Sequence, residues 1–197
     1  MVGNDIIDIQ EARRSSNWER PGFLQKIFTL KEQSIITASA DPFKTVWRLW
    51  SMKESAYKVF IQAGGIRFFN PTKIECSLHS SENGLVEIGR TTLKTITSTD
   101  TDYIFSTATV ENSKIDTCIF KLTENNVKQQ SHFMHEQLLS DFAKNNSLHL
   151  AELQLEKTAA GVPTLHYRKK PLNVSVSITH HGKYGAYSIL KNEVPSI

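Results

Sequence analysis

Glu54 and Lys58 stand one helical turn apart in the stretch LWSMKESAYKVF (49–60), where Trp50, Tyr57 and Ile61 recur at helical spacing. That periodicity sets Glu54 among the apolar residues rather than opposite them, so its carboxylate is either half-buried and paired or turned into a cleft. On an open surface the pair would be worth only about 0.2–0.5 kcal/mol. In a cleft, Lys58 can pair with Glu54 or share an anionic ligand with a metal that Glu54 holds. The run Gly3-Asn4-Asp5-Ile6-Ile7-Asp8-Ile9 places two more carboxylates among isoleucines. Burying a carboxylate there is costly unless it is paired or binds a cation. Asp5 and Asp8 point to opposite faces of a strand, and Asp5 is the one expected at the site. Asp5 and Glu54 together would make a hard, oxygen-rich pair suited to Mg²⁺, with Mn²⁺ as a substitute. Such an ion usually keeps waters and completes its shell with phosphate oxygens. A third feature is SITHHGKYGAYSI (177–189), a strand ending in His180-His181, a Gly182-Lys183 turn and a returning strand. A histidine at that strand mouth can bind a phosphate through its ring N–H; solvated turn histidines are the alternative. His132, His135 and Glu136 complete no zincin pattern, and the sequence holds no P-loop, GxSxG elbow, CxxC pair or dinucleotide fingerprint.

The elements that must carry these residues are legible in outline. Thr29-Leu30-Lys31-Glu32 has capping-box spacing. Asp41-Pro42 offers an N-cap and a proline at the first helical position, opening a helix over about 43–63 that stops at Gly64-Gly65. Residues 73–79 and 85–89 read as strands flanking a Glu82-Asn83-Gly84 turn, with glycine at positive φ. Residues 103–110 and 115–122 read as a second strand pair around Glu111-Asn112-Ser113. A helix is expected over about 131–144, after an Asn- and Gln-rich linker at 124–130. Strands follow at 153–156, 162–167, 173–179 and 185–190; in the third, Val174, Val176 and Ile178 alternate with Ser175, Ser177 and Thr179, the pattern of a half-buried strand. The sum is an α+β fold, mostly antiparallel sheet packed on a long helix. Two lobes are expected, 1–123 carrying the metal site and long helix, and 124–197 carrying the 180s strand end.

Composition narrows the class. A chain of 197 residues, 39% hydrophobic and 22% charged, is long enough to bury a core. No apolar run approaches the ~18 residues of a membrane helix, and the N-terminus lacks the basic start and cleavage site of a signal peptide. Cys76 and Cys118 match no metal or redox spacing and are expected as reduced thiols in a cytoplasmic protein. The net charge of +3 suits an anionic partner, but the lysines and arginines are scattered rather than striped, so no nucleic acid is expected.

In this order the motifs resemble the 4′-phosphopantetheinyl transferase superfamily. Gly3 to Ile9 resembles its G-x-D-I-V-E-I stretch, and Phe23-Leu24-Gln25-Lys26-Ile27-Phe28-Thr29 with Glu32 its F…R-I-F-T…E segment. Trp50-Ser51-Met52-Lys53-Glu54-Ser55-Ala56-Tyr57-Lys58 matches W-x-x-K-E-[AS]-x-x-K closely; Gly161-Val162-Pro163 is similar to the G-K-P turn and Ser177-Ile178-Thr179-His180 to the S-x-S-H strand end. The resemblance implies transfer of the phosphopantetheine arm from coenzyme A to a serine of an apo acyl carrier protein or peptidyl carrier domain, releasing 3′,5′-ADP. Asp5 and Glu54 would hold Mg²⁺ against the CoA pyrophosphate. Lys58 would neutralise charge developing on the phosphoryl group, and Glu54 or a metal-bound water would take the serine proton. His180 would contact the CoA 3′-phosphate, with Lys53 and Ser177 as further nucleotide contacts.

Two departures stand out. Ile7 occupies the place of a third acidic ligand, and Val162 that of the G-K-P lysine. The element order is that of the small, trimeric holo-acyl-carrier-protein synthases, yet this chain is much longer. Two fused half-units, a pseudo-dimer able to build the cleft as a monomer, are expected, with a homotrimer as the alternative. A catalytically silent member that only binds CoA or a carrier is the competing reading, kept alive by Ile7 and Val162.

Overall fold

The computed structural model describes residues 1–110, 114–123 and 126–191. Strand β1 (Val2–Asp8) is followed by helices α1 (Ile9–Ser15), α2 (Phe23–Ile27), α3 (Leu30–Ala38) and α4 (Pro42–Gln62). Strands β2 (Ile74–Leu78), β3 (Asn83–Ile88), β4 (Thr91–Thr99) and β5 (Tyr103–Thr109) come next. After β6 (Ile115–Lys121) and α5 (Val127–Asn145) the chain forms β7 (Leu153–Lys157), β8 (Pro163–Tyr167), β9 (Lys170–Pro171), β10 (Val174–His181) and β11 (Tyr184–Lys191).

Local chemistry explains the helix starts. The Asp41 carboxylate accepts from the Lys44 N–H and Pro42 takes a first-turn position where no N–H is needed. Thr29 and Glu32 form both bonds of the capping box ahead of α3. The apolar side of α4, with Val46, Leu49, Met52, Ala56 and Val59 all essentially inaccessible, lies on an antiparallel sheet of order β1-β5-β4-β3-β2. Burying the valine, leucine and methionine side chains contributes about 1.5–3 kcal/mol each, which fixes the helix on the sheet. At the closest approach, a Cβ on Gly3 would lie 1.9 Å from the Ser55 carbonyl oxygen, so only glycine lets β1 and α4 touch here.

The second sheet has the order β6-β11-β10, with the β7-β8-β9 sheet packed beside β10 and α5 covering it. Leu138, Phe142, Val176 and Ile189 form its core. The two halves of the chain follow a similar strand order, although β7 and β8 form a separate sheet with β9. The first strand pairs with the last (β1 with β5, β6 with β11), the last pairs with a preceding strand (β4, β10), and a hairpin lies beyond (β2–β3, β7–β8).

The two sheets meet along a side-chain seam. β1 pairs through β5 on one edge. Its other edge is met by side chains of β10: Val2 N–H donates to Ser175 Oγ (2.8 Å), Asn4 N–H to Ser177 Oγ (3.0 Å) and Asp8 N–H to His181 Nδ1 (2.9 Å). From α4, Lys58 Nζ donates to the Asn4 carbonyl (2.6 Å) and Gln62 Nε2 to those of Val2 (2.8 Å) and Val176 (3.1 Å). The hydroxyl face of β10, which alternation assigns to solvent, is therefore buried. Hydroxyls complete an edge that would otherwise expose unpaired backbone.

Other expectations change as well. Residues 103–109 and 115–121 are strands but not a pair, because β5 bonds β1 and β4 whereas β6 bonds β11 in the second sheet. β6 thus sits with the elements after it, not with those before it. The Thr-rich β4 goes unannounced by its composition, yet Leu93, Thr95 and Thr97 alternate inward. Gly84 lies inside β3 opposite Leu78, not in a turn. Residues 127–130 of the expected linker form the first turn of α5, capped by Asn126; 124 and 125 lie outside the described residues, as do Glu111-Asn112-Ser113.

Candidate active site

Asp5 projects from β1 into the seam. Its Oδ1 accepts from Thr179 Oγ1 at 3.0 Å and lies 3.7 Å from Lys58 Nζ, while Oδ2 is buried with no hydrogen-bond partner among the described residues. Burial raises its pKa against the opposing pull of Lys58 and Thr179. Glu54, one turn before Lys58 on α4, faces the same place, and no described group hydrogen-bonds its carboxylate. Burial first, then the charge of Asp5, push the Glu54 carboxyl up to about 7, with Lys58 opposing. The structure thus brings Asp5, Glu54 and Lys58 together. Lys58 is aimed by the Asn4 carbonyl and, at 3.4 Å, that of Ile178.

Two adjacent, under-bonded carboxylates fit a hard divalent cation. The orphaned Asp5 Oδ2, and the burial and neighbouring Asp5 charge that raise Glu54, are what a cation would relieve. Among the described residues no group of three or more His, Cys, Asp or Glu is placed to hold a metal, and Asp5 and Glu54 are the two carboxylates that meet here.

His180 is the penultimate residue of β10, half-buried, and its ring hydrogen-bonds no described group. Burial, then Lys58 and His181, lower its pKa, which favours a neutral ring. His181 plays a different part. Its Nδ1 accepts the Asp8 N–H, so that nitrogen carries no proton. Asp8 is likewise spoken for: Oδ1 caps α1 through Glu11 N–H (3.0 Å) and Oδ2 accepts from Lys183 N–H (2.9 Å). Gly182 sits between them at φ +55°, where a Cβ would meet Asp8 Oδ2 at 2.4 Å. Asp8 and the 182–183 turn are a structural clasp.

Lys53 and Ser177 are corrections. Lys53 Nζ is 2.7 Å from Glu32 Oε2 and donates to the carbonyls of Ile27 (3.2 Å), Pro71 (2.9 Å) and Ile74 (2.6 Å); at 1% exposure it has no donor left for a nucleotide. Its register places it on the opposite side of α4 from Lys58. Ser177 donates to Asn4 Oδ1 (2.8 Å) while accepting the Asn4 N–H, and holds the seam rather than a ligand. Thr179 and Asn4 are the site residues that motif reading missed. Both lie inside the quoted motifs, and an alternating hydroxyl strand beside a buried aspartate was the available signal.

Two helix-backed sheets of an α+β frame thus meet at paired carboxylates and a lysine. The model of the 4′-phosphopantetheinyl transferase superfamily, ACPS, matches residues 1–112, more than half of the chain, and the chain belongs to that family. A curated relative, the holo-[acyl-carrier-protein] synthase of Caldanaerobacter subterraneus subsp. tengcongensis, is 35% identical over 74 residues, 38% of this chain and 56% of the relative. The match thus spans little more than half of that relative's length. The crystal structure of Thermotoga maritima holo-[acyl-carrier-protein] synthase aligns over 86% of this chain and 83% of that one, at 13% identity and a TM-score of 0.44. No helix of the described residues is long and apolar enough to cross a membrane.

Proposed function

We propose that this chain transfers the 4′-phosphopantetheine arm of coenzyme A to a serine hydroxyl of an apo acyl or peptidyl carrier protein, releasing 3′,5′-ADP. The observation that carries the reading is the meeting of Asp5, Glu54 and Lys58 at one seam in a chain of this family. Asp5 and Glu54 would hold Mg²⁺, or Mn²⁺ in its place, which when bound supplies charge stabilisation at the CoA pyrophosphate. Lys58, fixed by two carbonyls, presents its ammonium to the phosphoryl oxygens as negative charge develops there. Glu54, or a water it orients, receives the hydroxyl proton. His180, kept neutral, offers a ring N–H to the 3′-phosphate. The two half-units divide between β5 and β6, so that one chain supplies both walls of the cleft as a monomer. Both free cysteines suit the cytoplasm. Fatty-acid, polyketide and peptide synthesis all use such carriers. Mixing the protein with CoA, Mg²⁺ and apo carriers should release 3′,5′-ADP only when a carrier is present; nucleotide release without carrier, or none with any of them, would contradict transfer.

The carboxylate pair also predicts a linked effect of pH and metal on stability. A carboxyl whose pKa is raised by folding costs nothing while protonated in both states and opposes folding once ionised. Stability should therefore be full below 4.5, the ordinary glutamate value, and fall as pH rises toward about 7. The loss is on the order of 2–3 kcal/mol, allowing for solvent that reaches the site. Asp5 adds in the same direction. Without metal, the melting temperature should be lower at about pH 8 than at about pH 5, and Mg²⁺ should raise it more at the higher pH. A Mg²⁺ effect independent of pH would show that these carboxyls do not bind it.

A further inference from the structure

We propose that Arg67 holds a phosphate group of the nucleotide donor in the groove between α4 and the Gly161 turn, supplying the cation that Val162 does not. The inference rests on the phosphopantetheinyl-transfer reading and names a ligand residue for it. Past Lys58, α4 continues along β1 and β10 to Gln62. Opposite it runs the 160–163 turn that joins β7 to β8, and the two wall a groove of about 240 Å³ that starts at Glu54 and Lys58. Ser177 and Ile178 line its floor. Lys58 stands at the head of this groove, held by two carbonyls and 3.7 Å from Asp5.

Arg67 reaches the same turn from the other side. It leaves the segment after α4, lines the groove, and donates one N–H of its guanidinium to the Ala160 carbonyl. A Cβ on Gly161 would lie 3.0 Å from Arg67 Nη2, which measures how closely the side chain covers that turn. Among the described residues Ala160 is its hydrogen-bond partner, and a guanidinium has five N–H donors in a rigid fork. The remaining donors match the paired oxygens of a phosphate.

The strap that carries Arg67 is pinned. Tyr57 Oη donates to the Phe68 carbonyl (3.0 Å) and accepts the Phe68 N–H (3.1 Å), and the Phe68 ring packs edge-on against Tyr57 and Phe60. The residue next to Arg67 is thus fixed to the helix that carries Glu54 and Lys58. An arginine held across a groove already bordered by a lysine favours an anion there, and in sequence it sits far from the turn where the family motif would place a lysine.

The test is titration calorimetry of the full chain with 3′,5′-ADP and with CoA, without carrier, on the unaltered protein, Arg67→Met and Arg67→Lys. Arg67→Met should weaken both ligands about tenfold and reduce the salt dependence of binding. Arg67→Lys should restore part of the affinity by charge without the fork. A strap with a structural role alone would lower the melting temperature and leave affinity and salt dependence unmoved, and that result overturns the proposal. Absence of nucleotide binding by the unaltered chain overturns it as well. Arg67-dependent binding with no carrier modified would leave this inference standing and sink the transferase reading.

Discussion

Glu54→Gln should lower kcat/KM for arm transfer about a thousandfold, the scale of losing a principal charge-stabilising group, while the protein stays folded. The substitution keeps the shape of the side chain but removes a cation ligand and a proton acceptor. It also removes the repulsion from Asp5 that, with burial, holds the Glu54 carboxyl near 7. The variant should therefore melt at the same temperature as the parent or higher above neutral pH, and gain less from Mg²⁺. Loss of activity with a lower melting temperature would mean Glu54 is structural. Retained activity would remove it from the mechanism.

The largest stability effect is expected one position earlier. Lys53 is enclosed with Glu32 at 1% and 0% side-chain exposure, and Glu32 in turn accepts from the N–H groups of Thr29 (2.8 Å) and Cys76 (2.7 Å). Lys53 ties α4 to the carbonyl end of α2 and to Pro71, which opens the Pro71–Lys73 turn. Lys53→Met should cost about 3–5 kcal/mol, because it leaves a buried carboxylate and three carbonyls without their cation. Adding Glu32→Gln should recover part of that loss. Denaturant unfolding checks the number, and the KM for CoA of the folded variant should stay close to the parent's. Unchanged stability with a raised KM would return Lys53 to the nucleotide site.

Lys53 also shows where sequence reading stops. In the motif it adjoins Glu54, and adjacency in sequence reads as adjacency in function. On a helix, neighbouring positions diverge by about 100°, and the groups that bind Lys53 come from residues 27, 32, 71 and 74, a set no local pattern gathers. Asp5, Glu54 and Lys58 were legible because two signals coincided: acids in apolar surroundings, and helical spacing that fixed their face. α4 was legible because cap, proline and apolar period agree over one segment. β4 was not, since threonines supply two of its three buried positions and blur the hydrophobic alternation. The pairing of β6 failed for a different reason. Nearness in sequence favours a hairpin with β5, whereas the sheet is closed by β11, some seventy residues on, at Thr117 opposite Ser188. Arg67 left no local sign at all, because its role depends on a turn nearly a hundred residues away.

The proposed reaction moves a phosphopantetheine arm onto a carrier serine at the Asp5–Glu54–Lys58 seam. Intact-mass spectrometry of a panel of apo carriers incubated with the protein, CoA and Mg²⁺ tests it most directly. At least one carrier should gain the mass of a single arm. The gain should depend on Mg²⁺, map to one serine, and vanish with Glu54→Gln. A panel of fatty-acid, polyketide and peptide carriers that all keep their apo mass, alongside intact CoA binding, would contradict it.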